Sequence, residues 1–311
     1  MLSTLMLLSS CGTIQKWGMR SASPMFKKSS DALTRENSWD FFRDSAPGNL
    51  KFLELLYLQD PDNLTLLGVL IKGYSGYAFA VPETLAFDDE LAGKEDSPWK
   101  EQAMIHYTRA LDYGLDYLDK KDISRSDLLN FDEQKLEKAL NKELDEDDLS
   151  AVLFTAQAWG SLINLQKDNV SMVSQVPKVK VLFDWVCKKD PKIENGVCEI
   201  FYAQYESSRP LMLGGNPKKG EELYLAAIKN RPHHLLMRTG YMQFLLLPGF
   251  EQEKYEAQAK ELKNEITKWN TLNRDSLEDN SEYKYDKSLN LYNAIAKKRF
   301  EIIEKNKKKI F

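Results

Sequence analysis

Beyond about residue 38, the apolar side chains of this 311-residue chain recur at three and four positions rather than at two. That spacing gathers apolar groups on one face of a helix, so the body is predicted to be all-α. Leu50, Leu53, Leu56 and Tyr57 share a face before Asp60-Pro61 stops their helix. Ser97-Pro98 is a capped start for a run carrying Ala103, Tyr107, Ala110, Leu111, Gly114 and Leu118. Asp147-Asp148 opens another run, with Leu153, Ala156, Gly160, Ile163 and Leu165, and suits the positive end of the helix dipole. Asn216-Pro217 opens the run from Leu223 to Ile228, and Pro232 begins a segment ending at Pro248-Gly249. Amphipathic stretches at about 251–270 and 282–306 follow. Hydrophobic residues make up 42% of the chain, enough for a sizeable core, and only 3 Cys exclude a disulfide scaffold. A net charge of −4 gives no electrostatic case for nucleic acid, so none is expected as a partner.

Three helix breaks share a form: Gln59-Asp60-Pro61, Lys189-Asp190-Pro191 and Asn230-Arg231-Pro232. A tetratricopeptide hairpin carries a small residue before such a proline and larger apolar residues further back. Pro232 has Ala227, Tyr224 and Gly220 at those offsets; Pro191 has Val186, Phe183 and Val179; Pro61 has Leu56 and Leu53, then a miss at Asn49. The expected architecture is therefore degenerate tetratricopeptide-like hairpins stacked as a curved bundle or solenoid, in a single domain over 39–311. The acid-rich 141–148 stretch falls in the longest interruption.

Residues 1–10, MLSTLMLLSS, are apolar and uncharged but too short to span a bilayer. They have the length of a signal-peptide core. Leu8-Ser9-Ser10-Cys11 resembles a bacterial lipobox, in which Cys11 is acylated with palmitate-class chains and becomes the first mature residue. No Lys or Arg precedes the apolar run, a departure from the pattern. Residues 11–38 read as a tether. Gly12 stands where Asp favours inner-membrane retention, which leans the anchor towards the outer membrane. Export leaves Cys187 and Cys198 as an even pair flanking Asp190-Pro191. They are either a bridge or two buried thiols.

Several short motifs carry a family resemblance. The lipobox, Asp60-Pro61-Asp62-Asn63, the stretch Gly73-Tyr74-Ser75-Gly76-Tyr77-Ala78-Phe79-Ala80, Trp159-Gly160, and Arg209-Pro210 through Gly214-Gly215-Asn216-Pro217 resemble the T component associated with TRAP transporters. The likeness covers most of 40–270, and the stretch after about 280 is read as lying outside it. The resemblance implies a periplasmic, membrane-tethered lipoprotein with tetratricopeptide-like hairpins. It further implies a homo-oligomer, a trimer in the family, with an apolar channel in each subunit. Its expected partner is a solute-binding P component serving a permease. It carries over no catalytic residue, and no cofactor or metal is expected.

Enzyme motifs fail on inspection. Gly73-Tyr74-Ser75-Gly76-Tyr77 lacks the last glycine of a nucleophile elbow and the strand before it. Gly215-Asn216-Pro217-Lys218-Lys219-Gly220 has P-loop glycine spacing but continues into Glu221-Glu222, which repel phosphate. The adjacent His233-His234 point about 100° apart on a helix, poor geometry for one metal. Aromatic clusters offer more. Tyr74, Tyr77, Phe79, Trp159, Tyr202 and Tyr205, with Arg209, are the candidate ligand contacts, against the alternative that they pack a helical interior. Arg209 suits either a carboxylate or a helix C-terminus. The Lys- and Arg-rich run from Lys297 to Lys309 reads as a solvated helix end or a weak contact with anionic lipid. A scaffold for envelope assembly with no ligand of its own is the rival to the transport reading.

Overall fold

The structure, a computed structural model, describes residues 20–22, 24–30, 33–129, 132–274 and 286–311. Cys11 and the apolar run before it lie outside the described residues. The described residues form helices and turns with no strand. In chain order the main elements are α1 (Trp39–Gln59), α2 (Leu64–Ala80), α3 (Pro82–Leu91), α4 (Pro98–Asp119), α5 (Arg125–Leu129), α6 (Glu133–Glu143), α7 (Leu149–Leu165), α8 (Val170–Val173) and α9 (Val176–Lys189). They continue with α10 (Ile193–Ser208), α11 (Pro217–Asn230), α12 (Leu235–Tyr241), which runs into a wide turn at Met242–Leu246, then α13 (Gln252–Arg274) and α14 (Asn290–Ile310).

Local chemistry sets most of these boundaries. The Asn216 side chain accepts from the Lys219 N–H and Pro217 takes the first helical position, so α11 starts where the sequence says. Before α7 the acid run forms a reciprocal cap. Asp145 accepts from the Asp147 N–H, and Asp148 accepts from the Asp145 N–H. Helix α1 extends further back than expected, to Trp39, with Pro47 inside it. Phe42, Ala46, Leu50 and Tyr57 form its buried face, so packing carries the helix across the proline. The Leu64–Leu91 stretch is long and apolar enough to cross a membrane, but more than half of it is buried within the protein, as in the core helices of a folded body.

The chain divides into two compact units. Unit one comprises 43–79, 102–186 and the described residues up to 33. Its core includes Leu66, Leu67, Leu70 and Ile71 of α2, Ala103, Tyr107 and Ala110 of α4, and Leu153 and Ala156 of α7. Glycine permits the closest helix approach there: a Cβ on Gly114 would lie 2.1 Å from Thr155 Oγ1. Arg20 pairs with the buried Asp60 at 2.7 Å.

Unit two comprises 34–42, 80–101 and 187–311. Helices α10 and α11 form a hairpin in which Gly220 admits Ser207 Oγ, 2.2 Å from where a Cβ would stand. Tyr224 and Ala227, at the offsets counted back from Pro232, are buried. Cys187 and Cys198 are bonded, with their Cα atoms 5.9 Å apart. The loop they close contains Glu194, Asn195 and Gly196, all in the left-handed region. Tyr292 Oη donates to Glu194 at 2.8 Å, and Ser288 Oγ donates to Asn195 Oδ1 at 3.3 Å, which helps fix a backbone that non-glycine residues disfavour.

Candidate functional site

Unit one carries a cluster of aromatic and charged groups on three helices. On α4, His106, Arg109 and Tyr113 fall at i, i+3 and i+7, which places them along one face. On α2, Tyr74 and Tyr77 flank His106. The Tyr74 ring stacks at 5.8 Å and the Tyr77 ring meets it edge-on at 5.0 Å. Helix α1 supplies Glu54, a buried carboxylate that accepts from Tyr113 Oη at 2.9 Å and from Lys51 Nζ at 2.7 Å. Arg109 Nη1 donates to Tyr74 Oη at 3.3 Å and stands 3.6 Å from Glu54. Its guanidinium also lies 5.2 Å from the centre of the Tyr74 ring.

Electrostatics follow from this packing. Burial alone pushes the Glu54 carboxyl up, but hydrogen bonds from Lys51, Tyr74 and Tyr113 outweigh it and hold the group below its ordinary range. Burial, reinforced by the Glu54 carboxylate, pushes Tyr74 up to about 12. Burial and then the nearby Arg109 charge push His106 down, so its imidazole is neutral at pH 7. His106 Nδ1 and Ser75 Oγ are buried and have no protein hydrogen-bond partner among the described residues. Arg109 stays partly in water. The cluster thus offers aromatic surface, the water-facing Arg109 and Lys51 cations, and neutral donors around a buried carboxylate.

The other sequence candidates fall elsewhere. Trp159 is buried on α7 and donates from Nε1 to Gln175 Oε1 at 2.8 Å. Phe79 is half-buried near the end of α2. Tyr202 and Tyr205 are half-buried in unit two, 5.3 and 5.7 Å from the Phe201 ring. The Arg209 guanidinium lies 3.7 Å over the Tyr205 ring, while Nε donates to the Tyr205 carbonyl and Nη1 to the Leu213 carbonyl, both at 3.0 Å. Tyr74 and Tyr77 therefore come together, as do Tyr202, Tyr205 and Arg209, but the two sets belong to different units. Glu54, Arg109 and Tyr113 were not among the residues singled out from the sequence, although their helical spacing is visible there. His233 pairs with Glu265 at 3.2 Å whereas His234 is buried beside Tyr292, so the histidine pair does not converge.

Unit two is organised by its last helix. Arg299 is buried, donating to Glu83 Oε1 and Thr84 Oγ1 at 3.0 Å each and to Gln243 Oε1 at 3.1 Å. Asn306 and Lys305 both donate to Asp88. A family model for the TRAP transporter T-component matches residues 35–311. The chain belongs to the TRAP transporter T-component family. Membership associates it with TRAP transport, a process of the bacterial envelope, as an accessory component. The match corrects the expectation that the likeness stops near residue 280, because it includes all of α14. The basic run misleads at one residue in particular: Arg299 points into the core as the partner of Glu83, while Lys305, Lys308 and Lys309 are the water-facing part. A search of curated proteins found no match.

Proposed function

We propose that this T component is a periplasmic lipoprotein, acylated at Cys11, that docks the solute-binding P component of a TRAP uptake system. The observation that carries the reading is the family match over residues 35–311; the lipobox-like Leu8-Ser9-Ser10-Cys11 supports the anchor. Tethering to a membrane raises the effective concentration of the subunit for partners held at the same surface. The docking face we assign is the unit-one cluster. Tyr and Arg are the side chains that dominate protein interfaces, and Tyr77, His106, Arg109 and Tyr113 are at least partly in water there. Tyr74, Tyr77, Phe79 and Trp159 of unit one and, as a separate set, Tyr202, Tyr205 and Arg209 of unit two remain our assignment for contacts to an apolar or carboxylate-bearing ligand. Tetratricopeptide-like hairpins and a homotrimer complete the proposal.

The test is affinity capture of a TRAP solute-binding P component from the source cells, with Arg109→Ala and Tyr77→Ala as variants. Each is expected to weaken capture about tenfold, the scale of an interface anchor. Capture unaffected by both removes the assigned face. A wild-type chain that captures no solute-binding protein removes the transport role in favour of an envelope scaffold. Palmitate labelling of wild type that is lost in Cys11→Ala is the expected result for the anchor; label persisting in the variant overturns it.

A further inference from the structure

The turn between α10 and α11 presents three consecutive apolar side chains to water. Leu211 is 75% exposed, Met212 97% and Leu213 54%. The turn is heavily braced from within. Leu213 and Gly215 N–H groups donate to the Pro210 carbonyl at 2.9 and 3.1 Å, and Gly214 N–H donates to the Leu211 carbonyl at 3.0 Å. Arg209 takes the Leu213 carbonyl, and Asn216 N–H ties the loop to the Glu206 carbonyl at 2.9 Å. Gly214 adopts a left-handed conformation, and a Cβ on Gly215 would stand 1.9 Å from the Arg209 carbonyl oxygen. Backbone groups paired in this way can leave water at low cost. The side chains they carry gain by doing so.

The chain beside the tip carries both signs of charge, but two of its three carboxylates are already paired. Glu221 is held by Lys254 at 2.8 Å, with Glu222 after it, and between Glu206 and Lys219 the chain carries Arg209, Lys218 and Lys219 against a single carboxylate, Glu206. That carboxylate is already held by Lys219 at 2.7 Å and approached by Arg209 at 3.4 Å, while Lys218 is exposed. We propose that the Leu211-Met212-Leu213 tip inserts into the headgroup boundary of an anionic lipid bilayer, with Lys218 and its neighbouring cations on the headgroups. An apolar tip beside cations matches the two attractions of an interfacial anchor, apolar burial and headgroup charge. A protein hot spot is a less natural occupant, because such sites are built from Trp, Tyr and Arg and leucine is under-represented in them. The inference goes beyond the docking role and does not depend on acylation, so the two succeed or fail separately.

The experiment is vesicle co-sedimentation of the full chain carrying Cys11→Ala, which removes any acyl chain from the outcome. Phosphatidylethanolamine–phosphatidylglycerol vesicles are compared with phosphatidylcholine vesicles, and circular dichroism checks that each variant is folded. Binding to the anionic vesicles is expected to fall about tenfold or more in Leu211→Asp/Met212→Asp. It should fall about fivefold in Lys218→Glu, with the anionic preference fading at high salt. Val170→Asp, altering an 82% exposed valine of unit one, should leave binding unchanged. No binding by the parent chain overturns the proposal, as does unchanged binding in the double variant or an equal loss in Val170→Asp. Equal binding to both vesicle types overturns the anionic assignment. Self-association that the double variant abolishes, without lipid binding, assigns the tip instead to a second copy of the chain.

Discussion

Glu54 in unit one and Glu83 in unit two are both buried carboxylates, yet their partners come from very different distances along the chain. Glu54 is held by Lys51 on its own helix and by Tyr113 and Arg109 on α4. Asp148 in the same unit takes Tyr117 at 2.5 Å and Lys121 at 2.9 Å, again from α4. Glu83 waits for Arg299, 216 residues on, and Asp88 for Asn306, 218 residues on. Unit two also carries the Cys187–Cys198 bridge, and unit one carries the close helix approach of Gly114 on Thr155. A unit paired at short range can be disturbed piecemeal. One closed by its last helix should fail together.

The largest effect should therefore come from Arg299→Met, which strands Glu83 without its cation. A loss of about 3–5 kcal/mol in denaturant unfolding is expected, as for any buried pair broken on one side. Hydrogen exchange should quicken first in α3 and α14. Adding Glu83→Leu should restore much of the loss; if it does not, the pair matters for more than charge compensation. Next in size is replacement of Cys187 and Cys198 by serine, expected to cost about 2–3 kcal/mol for a loop of this length, read as a lower melting midpoint. Gly114→Ala tests unit one in the opposite way, by overfilling it. The new methyl meets the β-branched Thr155, so about 1–3 kcal/mol should be lost. Thr155→Ala in the same chain should recover part of it, and additive losses would place the clash elsewhere.

The last effect is one of pH, absent above pH 6.5 and growing only below it. Burial, then the Arg231 charge, push His234 down from 6.5 to about 3. The unfolded chain binds this proton below pH 6.5 while the folded one does not, so stability is intact above 6.5 and lost as pH falls towards 3. The slope is at most about 1.4 kcal/mol per pH unit. His234→Leu should flatten the melting midpoint between pH 6.5 and 5 relative to wild type; parallel curves would show that His234 is hydrated rather than dry.

Helix type was readable throughout because apolar spacing and the Asn216-Pro217 and acid-run starts act within a turn or two of each other. Tyr74 and Tyr77 were visible as an aromatic group for the same reason. Arg109, Tyr113 and Glu54 were not, since an amphipathic helix shows an exposed polar face without saying which polar residues meet a second helix. Arg299 was hidden most completely. Six other cations surround it between Lys297 and Lys309, and nothing local separates the one that is buried from those that are solvated. The state of the cysteine pair was equally out of reach, because it turns on how residues 187 and 198 are brought together across Asp190-Pro191.

Glu83 and Asp88 leave the ribosome more than two hundred residues ahead of Arg299 and Lys305, the side chains that neutralise them. Until α14 is synthesised, the segment that becomes α3 has no buried arginine to receive its carboxylates, and unit two has no finished interior. A nascent chain in that condition keeps the interior of unit two unfinished until α14 emerges.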